Sequence, residues 1–254
     1  MKISIITVTY NSEKTLAEAI ESVLSQTYPN IEYIIIDGNS KDRTMEVAKR
    51  YLQANDERIK VLSEPDKGIY DAMNKGIRMA SGDVIGILNS DDFFTSHSII
   101  ESVAHAFEQD SSLEMVYGDV HFVNNDNPDK CVRYYSSKIF RPWMFRFGMM
   151  PAHPSCYIRR ECFEKYGLYS LDYKIASDFE LLLRFIYKAK IKIKYLPLDF
   201  VTMRMGGVST AGLKSYLFHN REDVLACKRN GVWTCLPLFM LKYLYKVFEL
   251  KPFK

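Results

Sequence analysis

The stretch Asp83-Val84-Ile85-Gly86-Ile87-Leu88-Asn89-Ser90-Asp91-Asp92 decides how this chain is read. Its apolar half reads as a buried strand that delivers Asn89, Asp91 and Asp92 to its carboxyl end. In open α/β sheets that end is where ligands bind. Adjacent carboxylates beside apolar sequence repel one another and are poorly solvated, so they need a counter-charge. A divalent cation bridging a diphosphate would supply it, because hard cations prefer carboxylate and phosphate oxygens. A polar turn rich in Asp fits the same residues, so the surrounding sequence has to decide.

Upstream, strand and helix patterns alternate. Ile3–Val8 is a buried-strand run, and Asn11-Ser12 after it carries a helix N-cap signal. Leu16, Ala19, Ile20, Val23 and Leu24 recur at helical spacing until Tyr28-Pro29-Asn30 stops them. Ile31–Ile36 and Arg58–Ser63 read as strands; Lys41–Ala54, Gly68–Ala80 and Ser96–Gln109 read as helices. Repeated βα units predict a mostly parallel, Rossmann-like sheet with right-handed crossovers. Neither GxGxxG nor a P-loop follows the first strand, which disfavours nicotinamide dehydrogenases and Walker ATPases. Downstream the pattern is mixed. Met115–Val123 and Cys131–Tyr135 alternate like strands around an Asn-rich turn, Asp178–Lys188 and Leu213–Arg229 read as helices, and Ile191–Val201 lies between them as a strand. No Gly-, Ser- or Pro-rich linker interrupts the chain, so one continuous domain over 1–230 is expected.

The bulk properties narrow the classes. A chain of 254 residues with 47% hydrophobic and 26% charged residues is ordinary for a globular protein with a sizeable core. A net charge of +3, spread along the chain, argues against a nucleic-acid binder. Five cysteines, odd in number and without a CxxC pair, fit free thiols in a reducing cytoplasm better than disulfides or zinc. The amino terminus leads straight into a strand-like run without a signal-peptide pattern. A cytoplasmic location is expected.

Two more acidic residues stand where strands end. Asp37 closes Ile34-Ile35-Ile36, and Asp66 follows Val61-Leu62-Ser63-Glu64-Pro65. If those strands are parallel neighbours, Asp37, Asp66 and Asp91 line one edge of the sheet. Each alone is an ordinary loop Asp.

Four motifs then occur in order: Ser4-Ile5-Ile6-Thr7-Val8-Thr9-Tyr10-Asn11, Ile36-Asp37-Gly38-Asn39-Ser40-Lys41-Asp42-Arg43-Thr44, Ser63-Glu64-Pro65-Asp66-Lys67-Gly68-Ile69-Tyr70-Asp71-Ala72-Met73-Asn74-Lys75-Gly76 and Asn89-Ser90-Asp91-Asp92. Together they resemble the family 2 glycosyltransferases of the GT-A fold, and among them bacterial enzymes that build exopolysaccharide or O-antigen units of the colanic-acid type. The resemblance implies a nucleotide-sugar donor, inversion at the anomeric carbon, and Mn²⁺ or Mg²⁺. It implies a nucleotide-sugar-binding half over 1–112 and an acceptor half over 113–230. It places Asp37 on the uracil or ribose, Thr9 and Asn11 in the nucleotide pocket, and Asp66 on the nucleotide. Asp91 takes the metal-ligating position of the family's DxD motif, and Asp92 reaches toward the donor sugar or supports the site. Asn89 stands where the motif has its first Asp; an amide brings no negative charge, so metal affinity is expected to be lower and its carbonyl to be free for the ribose.

An inverting transfer needs a base to take the acceptor's proton. Ala176-Ser177-Asp178-Phe179-Glu180-Leu181-Leu182-Leu183-Arg184 matches the family's later acidic motif, with Asp178 as the base; Ser177 or Asp178 could instead only cap the helix. Glu180, two residues on, points elsewhere on a helix. His153, in a His-Pro segment, corresponds to a residue near the acceptor site in relatives, or is a structural hydrogen-bonding histidine. Arg204 and Gly206-Gly207-Val208-Ser209 resemble a loop that closes over the diphosphate. Trp143 is a sugar-stacking ring or a core aromatic, and His219 a weaker metal or phosphate candidate.

The carboxyl-terminal tail, 231–254, differs in kind. Its apolar run Val232–Leu241 is too short to span a bilayer. Lys242, Lys246 and Glu249 fall on one narrow polar face, which suits an amphipathic helix lying on an anionic membrane, or one packed on the domain or a second subunit. The expected partners are therefore a nucleotide-sugar donor, a glycan or polyprenyl-linked saccharide, and a membrane surface through 232–254, with no nucleic acid. Two rivals stay open. One is a sugar-phosphate nucleotidyltransferase, although the Gly-rich, Arg-containing loop it needs after the first strand is replaced by Thr9-Tyr10-Asn11-Ser12. The other is a silent binding protein of glycan assembly.

Overall fold

The computed structural model describes residues 1–53, 57–125, 127–205 and 212–246. The first half is a run of βα units: β1 (Ile3–Thr9), α1 (Leu16–Leu24), β2 (Ile31–Asp37), α2 (Thr44–Gln53), β3 (Ile59–Ser63), α3 (Ile69–Met79) and β4 (Val84–Ile87). There follow β5 (Phe93–Phe94), α4 (Ile99–Gln109), the hairpin β6 (Met115–Asn124) and β7 (Asn127–Tyr135), then β8 (Tyr157–Arg159), α5 (Arg160–Tyr166), α6 (Ser177–Leu182), β9 (Ile193–Arg204), α7 (Gly212–Arg229) and α8 (Leu236–Lys246). One sheet joins all nine strands in the order β3-β2-β1-β4-β8-β6-β9-β5, with β7 beside β6. The β3-β2-β1-β4 part is parallel. From β4 onward antiparallel pairs enter, and β6 and β9 alone run parallel.

Why these segments are strands is visible in β2. Ile34 and Ile36 enter the core on one side of the sheet, with Met73 and Ile77 of α3. Tyr33 and Ile35 enter the core on the other, with Ile20 and Val23 of α1 and Ile100, Val103 and Phe107 of α4. A strand covered on both faces reads as a continuous apolar run, which is why Ile31–Ile36 and Val84–Leu88 show no polar alternation. Gly86 permits the join between the halves, because a Cβ there would lie 2.5 Å from the Tyr157 ring of β8.

Three expectations change. The first helix starts at Leu16 with Thr15 at its N-cap, not at Asn11-Ser12. Asn11 sits at φ 52° and its side-chain oxygen accepts the Lys41 N–H, so it is committed to the neighbouring loop. β7 begins at Asn127, four residues before the alternation at Cys131, because Asn124 pairs with Asn127 and shortens the turn. The tail helix is turned about its axis relative to the amphipathic pattern. Lys242 is only 7% exposed and faces inward. Its ammonium lies 3.3 Å from the buried Asp223 carboxylate of α7, a counter-charge that periodicity alone cannot reveal. Phe239 is fully buried beside it, and Trp233, Leu236, Met240, Leu241 and Leu244 face outward. No described helix is long and apolar enough to cross a membrane.

Candidate active site

The parallel register brings three strand ends level. Thr9 pairs with Asp37, and Asp37 with Ser63. Asp37 is fully buried. Its carboxylate accepts the Ser40 amide at 3.2 Å, the Ser40 hydroxyl at 2.5 Å and the Ser63 hydroxyl at 2.6 Å. The Thr9 hydroxyl is buried without a partner among the described residues. Asp66 accepts the Gly68 amide at 2.8 Å and leans over Gly38, where a Cβ would come within 2.5 Å of its Oδ2. A side chain at position 38 would push that carboxylate aside. Tyr10, which the sequence reading left unassigned, stands 61% exposed beside the same glycine. Its signal was its place directly after β1. Asp37 and Asp66 thus lie together with Thr9 and Asn11 at the carboxyl ends of β1, β2 and β3.

The loop after β4 forms the second part. The Ser90 hydroxyl meets that of Ser12 at 2.9 Å, tying this loop to the one after β1. Asp92 is 2% exposed, and the Asn89 side-chain amide donates to its Oδ2 at 2.9 Å. Burial, and then the neighbouring Asp91 charge, push the Asp92 carboxyl well above the usual carboxylate range. Asp91 is raised as well, chiefly by burial, with the Arg204 guanidinium opposing. The Asn89 carbonyl oxygen is buried and unpartnered among the described residues. Two crowded carboxylates and an orphaned amide oxygen fit a hard divalent cation. No described group of three or more His, Cys, Asp or Glu side chains could hold one unaided, so phosphate oxygens would complete its shell. Arg204 borders this loop at the end of β9, donating to the Asp91 backbone carbonyl at 3.0 Å, pairing with Glu18 and lying over the Phe93 ring. Gly206 and Gly207 lie outside the described residues.

Asp178 belongs to a third cluster, at the amino end of α6. Ala176 is the N-cap residue and makes no side-chain cap, while the Ser177 hydroxyl donates to the Ser170 carbonyl. Asp178 Oδ1 accepts the Phe179 N–H at 2.8 Å and faces the Tyr70 hydroxyl at 3.3 Å. Oδ2 accepts no bond among the described residues, so a cap-only role leaves half of the carboxylate unused. His153 Nε2 meets the Tyr169 hydroxyl at 2.6 Å, and Tyr169 stacks on Tyr70, which links His153 to the Asp178 cluster. Glu180 is excluded from the site by a 3.0 Å ion pair with Arg184. Trp143 is exposed, its ring edge-on to Phe147, and so is no core aromatic. His219 lies 3.7 Å from Asp223, away from the acidic loop's partners. Tyr70 and Tyr169 are the residues here that sequence spacing did not single out.

A parallel sheet with acidic residues at its carboxyl edge, continued by antiparallel and mixed strands, is the GT-A architecture. Two solved structures share it. The chain superposes on Staphylococcus aureus TarS 1-349 in complex with UDP-GlcNAc with a TM-score of 0.66 at 18% identity, over 89% of this chain and 66% of that one. On the mannosyltransferase PcManGT from Pyrobaculum calidifontis, in complex with GDP-Man and Mn²⁺, the TM-score is 0.64 at 14% identity, over 98% and 81%. Residues 4–167 match the model of glycosyl transferase family 2, and the chain belongs to that family. It is 27% identical over 193 residues to the PGL/p-HBAD biosynthesis glycosyltransferase of Mycobacterium tuberculosis, covering 76% of this chain and 73% of that protein. It is 34% identical over 126 residues to WfgD of Escherichia coli, a UDP-Glc:alpha-D-GlcNAc-diphosphoundecaprenol beta-1,3-glucosyltransferase, covering about half of each.

Proposed function

We propose that the chain is an inverting glycosyltransferase that moves a sugar from a nucleoside diphosphate donor, a UDP-sugar, to a hydroxyl of a lipid-linked saccharide in cell-surface polysaccharide or glycolipid synthesis. The observation that carries this reading is the adjacent half-buried Asp91 and buried Asp92 at the carboxyl edge of β4, with the unpartnered Asn89 carbonyl oxygen beside them, a set of oxygens that a divalent cation carrying a diphosphate would suit. Asp37, Asp66, Thr9 and Asn11 hold the nucleoside, and residues 1–112 act as the donor half against an acceptor half over 113–230. Asp91, with the Asn89 carbonyl and the Asp92 carboxylate, would hold a divalent cation, which would supply electrostatic stabilisation of the leaving diphosphate. Arg204 adds a positive group on the same side.

The displacement is a single in-line step. The acceptor oxygen bonds to the anomeric carbon as the bond to the diphosphate oxygen breaks, and the electron pair leaves on the nucleoside diphosphate. Asp178, through its free Oδ2, takes the acceptor proton. A UDP donor and a diphospholipid acceptor draw support from the names of TarS and WfgD. The outward apolar face of α8, with the exposed Arg221 and Lys228 on neighbouring α7, is suited to rest on an anionic bilayer where such an acceptor resides.

The test is turnover of the full chain with UDP-glucose, UDP-GlcNAc and GDP-mannose in Mn²⁺, on a short-chain GlcNAc-diphospholipid. UDP release that needs the acceptor is expected, and Asp178→Asn should reduce it by about 10²–10⁴-fold. Unchanged turnover in Asp178→Asn would remove that residue from its role. Silence with every donor would point to a binding protein instead.

A further inference from the structure

The backbone that delivers Asp178 is held from a distance. The N–H groups of Lys174, Ile175 and Ala176 all donate to one carboxylate, Glu222 of α7, at 3.0, 2.9 and 3.1 Å. On the other side the Tyr70 hydroxyl donates to the Ile175 carbonyl. The segment before Asp178 is thus gripped between α3 and α7, with no side chain of its own at the helix cap.

α7 is in turn fixed by the tail. Asp223, next to Glu222, is 2% exposed and receives the Lys242 ammonium at 3.3 Å. Phe239, one turn before Lys242, packs its ring against Phe179, the residue after Asp178, with centroids 6.0 Å apart. Phe145 closes on the same Phe179 ring at 5.4 Å. α8 therefore reaches the Asp178 segment twice, directly through Phe239 and through the Lys242, Asp223 and Glu222 relay.

We infer that Glu222 is a positioning residue for Asp178, and that α8 is the brace that keeps it in place. The C-terminal helix then belongs to the acceptor-activating machinery and is more than an attachment surface. The inference rests on the reading of Asp178 as base. Three N–H groups bound by one carboxylate fix the backbone torsions that set where Oδ2 points. A displacement of about 1 Å in a catalytic group can cost about 10²-fold in rate.

The experiment compares wild type, E222A, E222Q, K242M and D178N as full chains, with the donor and acceptor pair that wild type turns over. For each, kcat is set beside the melting shift produced by UDP with Mn²⁺. E222A should lose about 10²-fold in kcat while keeping the wild-type UDP shift, with E222Q between the two and K242M falling in the same direction. A kcat for E222A within about threefold of wild type would overturn the inference, as would a parallel loss of the UDP shift, which marks general structural damage. If E222A does not fold, E222Q decides by the same criteria. Normal turnover in D178N sinks the base reading whatever Glu222 does; an inactive D178N beside a normal E222A sinks the Glu222 role alone. A wild type silent on every pair removes both.

Discussion

The proposed donor half and the proposed acceptor half hold their candidate carboxylates by different means. In the donor half the wiring is short. Asp37 is bound by Ser40, Asp66 by Gly68 and Asp92 by Asn89, each partner two or three residues away, with Ser63 on the adjoining strand as the long-range addition. In the acceptor half, Asp178 depends on Glu222, whose bonds span 46 to 48 residues, and on Tyr70, more than a hundred residues upstream. The first arrangement travels as motifs. The second exists only once α3, α6, α7 and α8 have packed, so damage far from the chemistry should matter more there.

The largest effect should come from breaking the brace itself. Lys242→Met leaves the buried Asp223 carboxyl without its ammonium partner, with only His219, 3.7 Å away, as a basic neighbour. Removing one partner of a buried pair costs typically about 3–5 kcal/mol, or roughly 6–20 °C in melting temperature for a chain of this size. The double variant Lys242→Met, Asp223→Leu should recover most of that loss, since burying no charge is often neutral or better. Thermal melting of the single and double variants measures this. A single variant as stable as wild type would mean that α8 is not anchored by this pair.

The donor half answers differently, and ligand binding reads it. UDP at a hundred times its dissociation constant, with Mn²⁺, should add about 2.7 kcal/mol, or roughly 5–10 °C. Asp91→Ala should abolish that shift. Without ligand the same variant should melt at or slightly above the wild-type temperature, because the substitution relieves the repulsion that raises Asp92. A variant that melts lower without ligand would show Asp91 to be structural. A shift that persists without metal would assign the substitution of Asn for Asp at position 89 a functional consequence.

This contrast also explains what could be read from the sequence. The parallel core strands and the level of Asp37 with the neighbouring strand ends were legible, because apolar runs and their acidic ends repeat at βα spacing. Asp178 was singled out through its motif, and its role stays a proposal. Glu222 was not, since nothing within ten residues of it announces which backbone it will bind. Lys242 misled for a related reason. A charged residue at helical spacing normally marks the wet face, and only the tertiary placement of Asp223 turns it inward. Asn11 misled by the opposite route, because its side chain suits a helix cap and a left-handed turn equally well.

The smallest effect sharpens the comparison inside the acceptor half. Burial lowers the His153 pKa below its ordinary value near 6.5, and the Asp178 charge opposes that shift. The folded state therefore holds His153 neutral where the unfolded chain would protonate it. Its contribution to stability is complete above about pH 6.5 and is lost as pH falls from there through the lower folded value. His153→Gln, which keeps a polar group facing Tyr169 but cannot titrate, should lose less stability than wild type as pH falls from about 7 to 5, with the opposite contribution of the raised Asp92 carboxyl common to both. Asp178→Asn should act in the other direction. With the opposing charge gone, the folded pKa falls further and the acid loss over the same window grows steeper. Parallel curves for wild type and His153→Gln would mean that His153 is not held neutral by burial. An unchanged slope in Asp178→Asn would mean that the two side chains do not sense one another, and that the acceptor half is wired less tightly than its long-range bonds imply.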